Sequence, residues 1–216
     1  MFDVLKMIEK NEDFNIEETF SNSNPLATMK LFIEYTITVC NYSYNTNGFK
    51  KLINYPPDFK FDLIIIDMTI GSCLYPLIQR FNYPPTIGIT AFLLPPFLSD
   101  TFGNDIHPSY LPFYMLQYTE HMNFHQRVIN YVMTRLDSFT KQTYQMQKLE
   151  KVARRIFGDN MDSMQSLERH ISLLLCNINN ALHYPQPLTP NIIPVGGLHI
   201  KAANNLSKVG VNTIQY

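Results

Sequence analysis

The sequence predicts an α/β fold in which a parallel sheet is flanked by helices, and three observations carry that expectation. First, residues 59–92 read FKFDLIIIDMTIGSCLYPLIQRFNYPPTIGITAF. Two apolar strand-like runs, Leu63–Ile66 and Thr86–Thr90, enclose a segment with helical spacing, Cys73–Phe81, which is the pattern of a β-α-β unit. Second, Ile171–Ile178 (ISLLLCNI) reads as another buried strand. Strands covered on both faces, as in a parallel sheet, are near-continuous apolar runs, and Leu63–Ile66 and Leu173–Leu175 fit that. Third, strands alternate with helical patterns along the chain, the order expected of an α/β domain.

Each element follows from local signals. Residues 2–10 read as a short helix with Phe2, Leu5, Met7 and Ile8 as its apolar positions, and residues 11–25 are polar and turn-rich. Residues 26–55 read as one or two helices: Leu26, Met29, Ile33, Ile37 and Cys40 recur at helical spacing, and Phe49, Leu52 and Ile53 resume it after an Asn-rich break at 41–48. Pro56-Pro57 ends that section. After the β-α-β unit, Leu93–Ser109 reads as a long proline-bearing loop, which in a compact domain is usually functional. Residues 110–157 are expected to be mostly helical, best defined over Lys141–Phe157 with a stop at Gly158. A short helix capped by Asp162 or Ser163 precedes the strand at 171–178, and Ile192–Val195 reads as a final short strand. The count is three or four strands, with the sheet incomplete at its beginning.

Bulk properties narrow the function. The chain has 216 residues with a formal net charge of −1, and its densest basic cluster is Lys151, Arg154 and Arg155, so nucleic acid is not an expected partner. Cys40, Cys73 and Cys176 are widely spaced and form no metal or disulfide pattern. His121 and His125, four apart, would share one helical face, but without a third ligand they read as surface residues and no metal is expected. No run is long and apolar enough for a membrane span, and the N-terminus has no apolar signal-peptide core. Asn41 and Asn205 open glycosylation sequons.

Asp67 is the leading candidate for chemistry. It ends the first strand of the β-α-β unit, and ligands of open parallel sheets bind just beyond the carboxyl ends of strands. The competing reading is a capping role at the following turn. Among the loop residues, Phe92 and Phe97 are candidate pocket walls, and His107 stands on the same cleft-side loop.

The strings FDLIIID, PLIQRFNYPPTIGITAF, MNFHQRV and YPQPLTPNIIPVGGLHI resemble the N-terminal half of UDP-glycosyltransferases, especially the insect UDP-glucosyl/glucuronosyltransferases. The likeness spans roughly residues 10–200 and is most specific in the proline-rich run PNIIPVGGLHI. It implies an incomplete Rossmann-like N-terminal domain of a GT-B glycosyltransferase over residues 1–200, lacking its first strand or strands, with an atypical tail over 201–216.

In that family one domain binds a small lipophilic acceptor and a second binds the UDP-sugar. A histidine after the first strand takes the acceptor proton, an aspartate orients it, and the sugar is transferred with inversion. By its place in the motif Asp67 matches the aspartate, and Phe92, Phe97 and His107 become acceptor-binding candidates. The resemblance also implies a lumenal, endoplasmic-reticulum membrane setting for the parent protein and oligomers with related transferases. It implies no cofactor beyond the UDP-sugar co-substrate, which a domain outside these residues is expected to bind.

Against the family pattern the sequence as read is expected to lack the first strand with its histidine, the sugar-nucleotide half and the C-terminal membrane anchor. Without a base in reach there is no general-base step. The isolated chain is therefore expected to be inactive. The alternatives are a non-catalytic lipophile-binding or regulatory partner of full-length enzymes, or a truncated gene product.

Overall fold

The computed structural model describes residues 24–200, apart from Pro57 and His199. The expected helix at 2–10, the tail at 201–216 and the sequon at Asn205 lie outside the described residues. Four strands form one parallel sheet in the order β1-β2-β3-β4: β1 is Ile64–Asp67, β2 is Thr86–Thr90, β3 is Leu173–Cys176 and β4 is Ile192–Pro194. Asp67 pairs with Ile89, Thr90 with Cys176, and Cys176 with Pro194, so the carboxyl ends of all four strands point the same way.

Helix α1, Pro25–Asn45, starts where Asn24 accepts a hydrogen bond from the Leu26 amide and Pro25 fills the first helical turn. It runs through most of the Asn-rich stretch that suggested a break at 41–48. The interruption narrows to Thr46, which ends α1 and caps α2, Asn47–Ile53, by accepting from the Phe49 amide. The Cys73–Phe81 helix is present as two pieces, a 3-10 turn at Gly71–Leu74 and α3 at Pro76–Arg80, because Pro76 cannot donate into a continuous ladder.

Two expectations fail between β2 and residue 123. The stretch 93–109 is not all loop: Pro96–Thr101 forms α4, with Pro96 at its first position, where a proline starts a helix as readily as it breaks one. Residues 110–122 are not helical. Asn130 fixes their path, accepting from the Phe113 amide at 2.6 Å and donating to the carbonyls of Pro108 at 2.7 Å and Leu111 at 2.8 Å. Helix α5, Phe124–Thr140, begins with a reciprocal cap between Asn123 and Gln126. His121 therefore precedes the helix that carries His125, and the two do not share a helical face.

Lys141–Gln145 is a single wide π turn that feeds α6, Met146–Phe157. Helix α7, Met164–Arg169, is capped by Ser163; the Asp162 carboxylate instead accepts from the Tyr83 hydroxyl.

The main core lies between one sheet face and the helices. Ile66, Met68, Leu174 and Cys176 meet Cys40, Tyr44, Phe49, Ile78, Leu98 and Leu149 there. The other sheet face is only partly covered: Ile65 is 58% exposed, against the two-sided burial expected for β1. All three cysteines are buried and free. No described helix is long and apolar enough to cross a membrane.

Candidate functional site

Beyond the carboxyl ends of β1 and β2 lies a half-open cavity of about 850 Å³. Its walls come from three directions. Pro25, Thr28 and Phe32 of α1 form one side, Tyr114–Gln117 a second, and Thr69 with Phe92–Pro95 and Phe97 the third. The lining is mainly apolar with a few polar groups, the usual character of a small-molecule site. Phe97 is buried in the wall, whereas Phe92 stands 60% exposed at the rim.

The strand ends that border the cavity are tied together. Asp67 is half-buried at the end of β1, and its Oδ1 accepts from the Thr69 amide at 2.8 Å. This is an Asx turn, which aims the chain away from the sheet. The Thr69 hydroxyl then meets the Thr90 hydroxyl at 2.8 Å, and Thr90 Oγ1 accepts from the Phe92 amide at 3.2 Å. Thr69 faces the cavity; Asp67 lies two residues before it and is not part of the wall. The local capping role and the strand-end position thus coexist in Asp67.

No described histidine is hydrogen-bonded to Asp67. His107 is outside the cavity wall and stacks on Tyr110, with ring centroids 5.8 Å apart. His170 reaches the Pro84 carbonyl at the opposite end of β2, and His183 bonds within its own turn to Asn179. His121 and His125 are exposed. Among the described residues there is no cluster of three or more His, Cys, Asp or Glu that could hold a metal. Asn41 is exposed on α1.

The sequence reading missed a buried polar group behind the Phe97 wall. Lys141 is 4% exposed, and its ammonium sits 3.9 Å from the Phe97 ring centroid. Burial lowers its proton affinity, while Glu168 and Asp137 oppose that shift. Asp137 accepts from the Tyr114 hydroxyl at 3.0 Å, and burial pushes its carboxyl up to about 6. Burial likewise raises Glu168, which is held by Tyr75 at 3.0 Å and Thr101 at 3.3 Å. The amphipathic pattern of Lys141–Phe157 gave no signal for a buried lysine, because the π turn shifts which residues face inward.

Comparison with known proteins bears on what this cavity serves. The family model described as "UDP-glucoronosyl and UDP-glucosyl transferase" matches residues 4–216. UDP-glucosyltransferase 2 of Dactylopius coccus is 31% identical over 145 residues, covering 67% of this chain and 28% of that protein. Human UDP-glucuronosyltransferase 3A2 is 28% identical over 192 residues, covering 88% of this chain and 35% of that protein. UDP-glycosyltransferase UGT5 of Dactylopius coccus is 29% identical over 143 residues, covering 66% of this chain and 27% of that protein. The chain thus spans roughly a third or less of the length of these curated relatives. No solved structure matches. The parallel sheet flanked by helices is consistent with the Rossmann-like N-terminal domain of a GT-B enzyme. On the match over residues 4–216, the chain belongs to the UDP-glucuronosyl and UDP-glucosyl transferase family.

Proposed function

We propose that this chain is the acceptor-binding part of a UDP-glycosyltransferase, and that the parent reaction moves a hexosyl or glucuronosyl group from a UDP-sugar to a hydroxyl of a small lipophilic compound. The observation that carries the reading is the apolar cavity of about 850 Å³ beyond the ends of β1 and β2, with Asp67 two residues before its Thr69 wall. An aspartate at that place suits the role of holding and stabilising a protonated histidine, with the acceptor oxygen attacking the anomeric carbon in line and UDP leaving. Phe92 and Phe97 would hold the acceptor. His107, stacked outside the wall, would contribute only by leaving Tyr110. The parent protein would act at the lumenal side of the endoplasmic-reticulum membrane, where Asn41 is a glycosylation candidate.

By itself the chain is proposed to bind acceptor without transferring sugar, because no described base reaches Asp67. Calorimetric titration of the purified chain with alpha-naphthol tests the binding half, and incubation with radiolabelled UDP-glucose and naphthol tests the other. Saturable binding without glucoside formation is expected. Absence of binding would sink the cavity assignment, and measurable turnover would sink the claim of inactivity.

A second reading is favoured by the same combination of a formed cavity and an unaccompanied Asp67: a non-catalytic lipophile binder that pairs with full-length relatives. Sedimentation of the chain mixed with a full-length relative separates the two, since a stable complex is required only by the second.

A further inference from the structure

A narrower cleft lies behind the Phe97 wall, and the acceptor reading makes no use of it. It shares Phe97 and Tyr114 with the main cavity, and its floor is polar: Asp137, Lys141 and Gln145. These three stand four residues apart in turn, Asp137 on α5 and the other two on the π turn, so one stretch of chain presents them together. Lys141 Nζ, Asp137 Oδ2 and Gln145 Nε2 are all buried, and no protein atom hydrogen-bonds any of them. Buried polar atoms are almost always paired, so three unpaired ones facing one cleft point to a group that pairs them.

The set has a definite chemistry. Lys141 and Gln145 offer donors, and Asp137 Oδ2 offers an acceptor. A hydroxyl accepts and donates at once and satisfies both kinds. A carboxylate can only accept and would leave Asp137 Oδ2 unpaired, and an ammonium can only donate and would leave Lys141 and Gln145 unpaired. The cleft has room of about 10 Å³, enough for roughly one water-sized group.

We propose that this cleft is a specificity subsite for a second hydroxyl on the lipophilic ligand, set apart from the hydroxyl offered beside Thr69 and Asp67. Ligands of this class are lipophilic diols: an apolar body in the main cavity and a distal hydroxyl reaching past Phe97 to Lys141 and Asp137. The proposal rests on the reading of the main cavity as an acceptor site.

The test compares para-pentylphenol with its analogue carrying a hydroxyl on the terminal carbon of the chain, titrated calorimetrically into the purified protein. The wild type is expected to bind the diol about tenfold more tightly, the effect of one to two good hydrogen bonds. Without the subsite the extra hydroxyl would weaken binding, because it loses water for an apolar wall. Lys141→Met should bring the ratio of the two affinities down to one or below, and Gln145→Leu is the second variant should that protein fail to fold. Equal or weaker binding of the diol to wild type, or a preference that survives Lys141→Met, overturns the subsite alone. If para-pentylphenol itself fails to bind, the cavity assignment falls and the subsite falls with it.

Discussion

Substituting Gly196 with alanine should loosen the C-terminal end of the sheet, and the structure sets the scale. An ideal Cβ at Gly196 would stand 2.5 Å from the Ile178 carbonyl oxygen, 2.6 Å from its carbon and 2.8 Å from the Asn179 nitrogen. All three are backbone atoms, so no rotamer change relieves the clash. The segment must move away, and it then gives up the bonds from the Val195 amide to the Cys176 carbonyl, 2.8 Å, and from the Gly196 amide to the Ile178 carbonyl, 2.9 Å. Two backbone bonds at roughly 1 kcal/mol each, with some residual crowding, give a loss of about 2–3 kcal/mol. For a domain of this size that corresponds to a fall in melting midpoint of about 5–10 °C. Thermal unfolding followed by circular dichroism reads it directly. Gly71→Ala is the control: its Cβ would meet only Asp67 Cβ at 3.6 Å and Ile66 Cγ2 at 3.7 Å, ordinary contacts. Its midpoint should stay within about 2 °C of wild type. If Gly196→Ala melts as close to wild type as the control does, the close-approach argument is wrong.

Further outcomes follow from buried groups and the cavity rim. The Asp137 carboxyl is raised from its ordinary 3.8 to about 6. Its contribution to stability is thus fully present below about 3.8 and is lost as pH rises through about 6, a change of about 3 kcal/mol. The stability of Asp137→Asn relative to wild type should therefore grow by that order between pH 4 and 7 in urea titrations, and a pH-independent difference would refute the assignment. Tyr75→Phe removes the donor from buried Glu168 and should cost about 1–3 kcal/mol in the same assay, with a loss below about 0.5 kcal/mol counting against a structural role for that bond. Phe92→Ala, at a residue 60% exposed, should change stability by less than about 0.5 kcal/mol while weakening naphthol binding several-fold; unchanged affinity would remove Phe92 from the occupied wall.

The four strands were legible because apolar runs bounded by turn residues leave few alternatives: Ile64–Asp67, Thr86–Thr90, Leu173–Cys176 and Ile192–Pro194 all fall within or beside the runs that suggested them. The positions of Asp67, Phe92 and Phe97 near the strand ends were legible for a related reason, since a parallel strand fixes where its next residues emerge. What escaped depended on distant partners. Residues 113–122 carry helix-compatible side chains, yet Pro112 interrupts the run and the Asn130 amide claims the backbone of Leu111 and Phe113. Pro95-Pro96 marks a loop and a helix start equally well, and only tertiary packing of Phe97 and Leu98 decides between them. Lys141 entered only as the start of the expected helix at 141–157, and its burial gave no signal because a π turn leaves no trace in residue spacing.

The hydroxyl contact between Thr69 and Thr90 has a consequence for how the cavity discriminates. It joins the exits of two neighbouring strands through a chain that ends at the Phe92 amide, so that wall is stiffened when the sheet forms and not when a ligand arrives. A ligand resting there has little ordering left to impose, and its affinity should report shape match in place of adaptation. The opposite wall, Tyr114–Gln117, hangs from the loop that Asn130 secures rather than from the sheet. Both jaws of the cavity are thus set before a ligand arrives, one by the strand exits and the other by Asn130 and by the bond from the Tyr114 hydroxyl to Asp137.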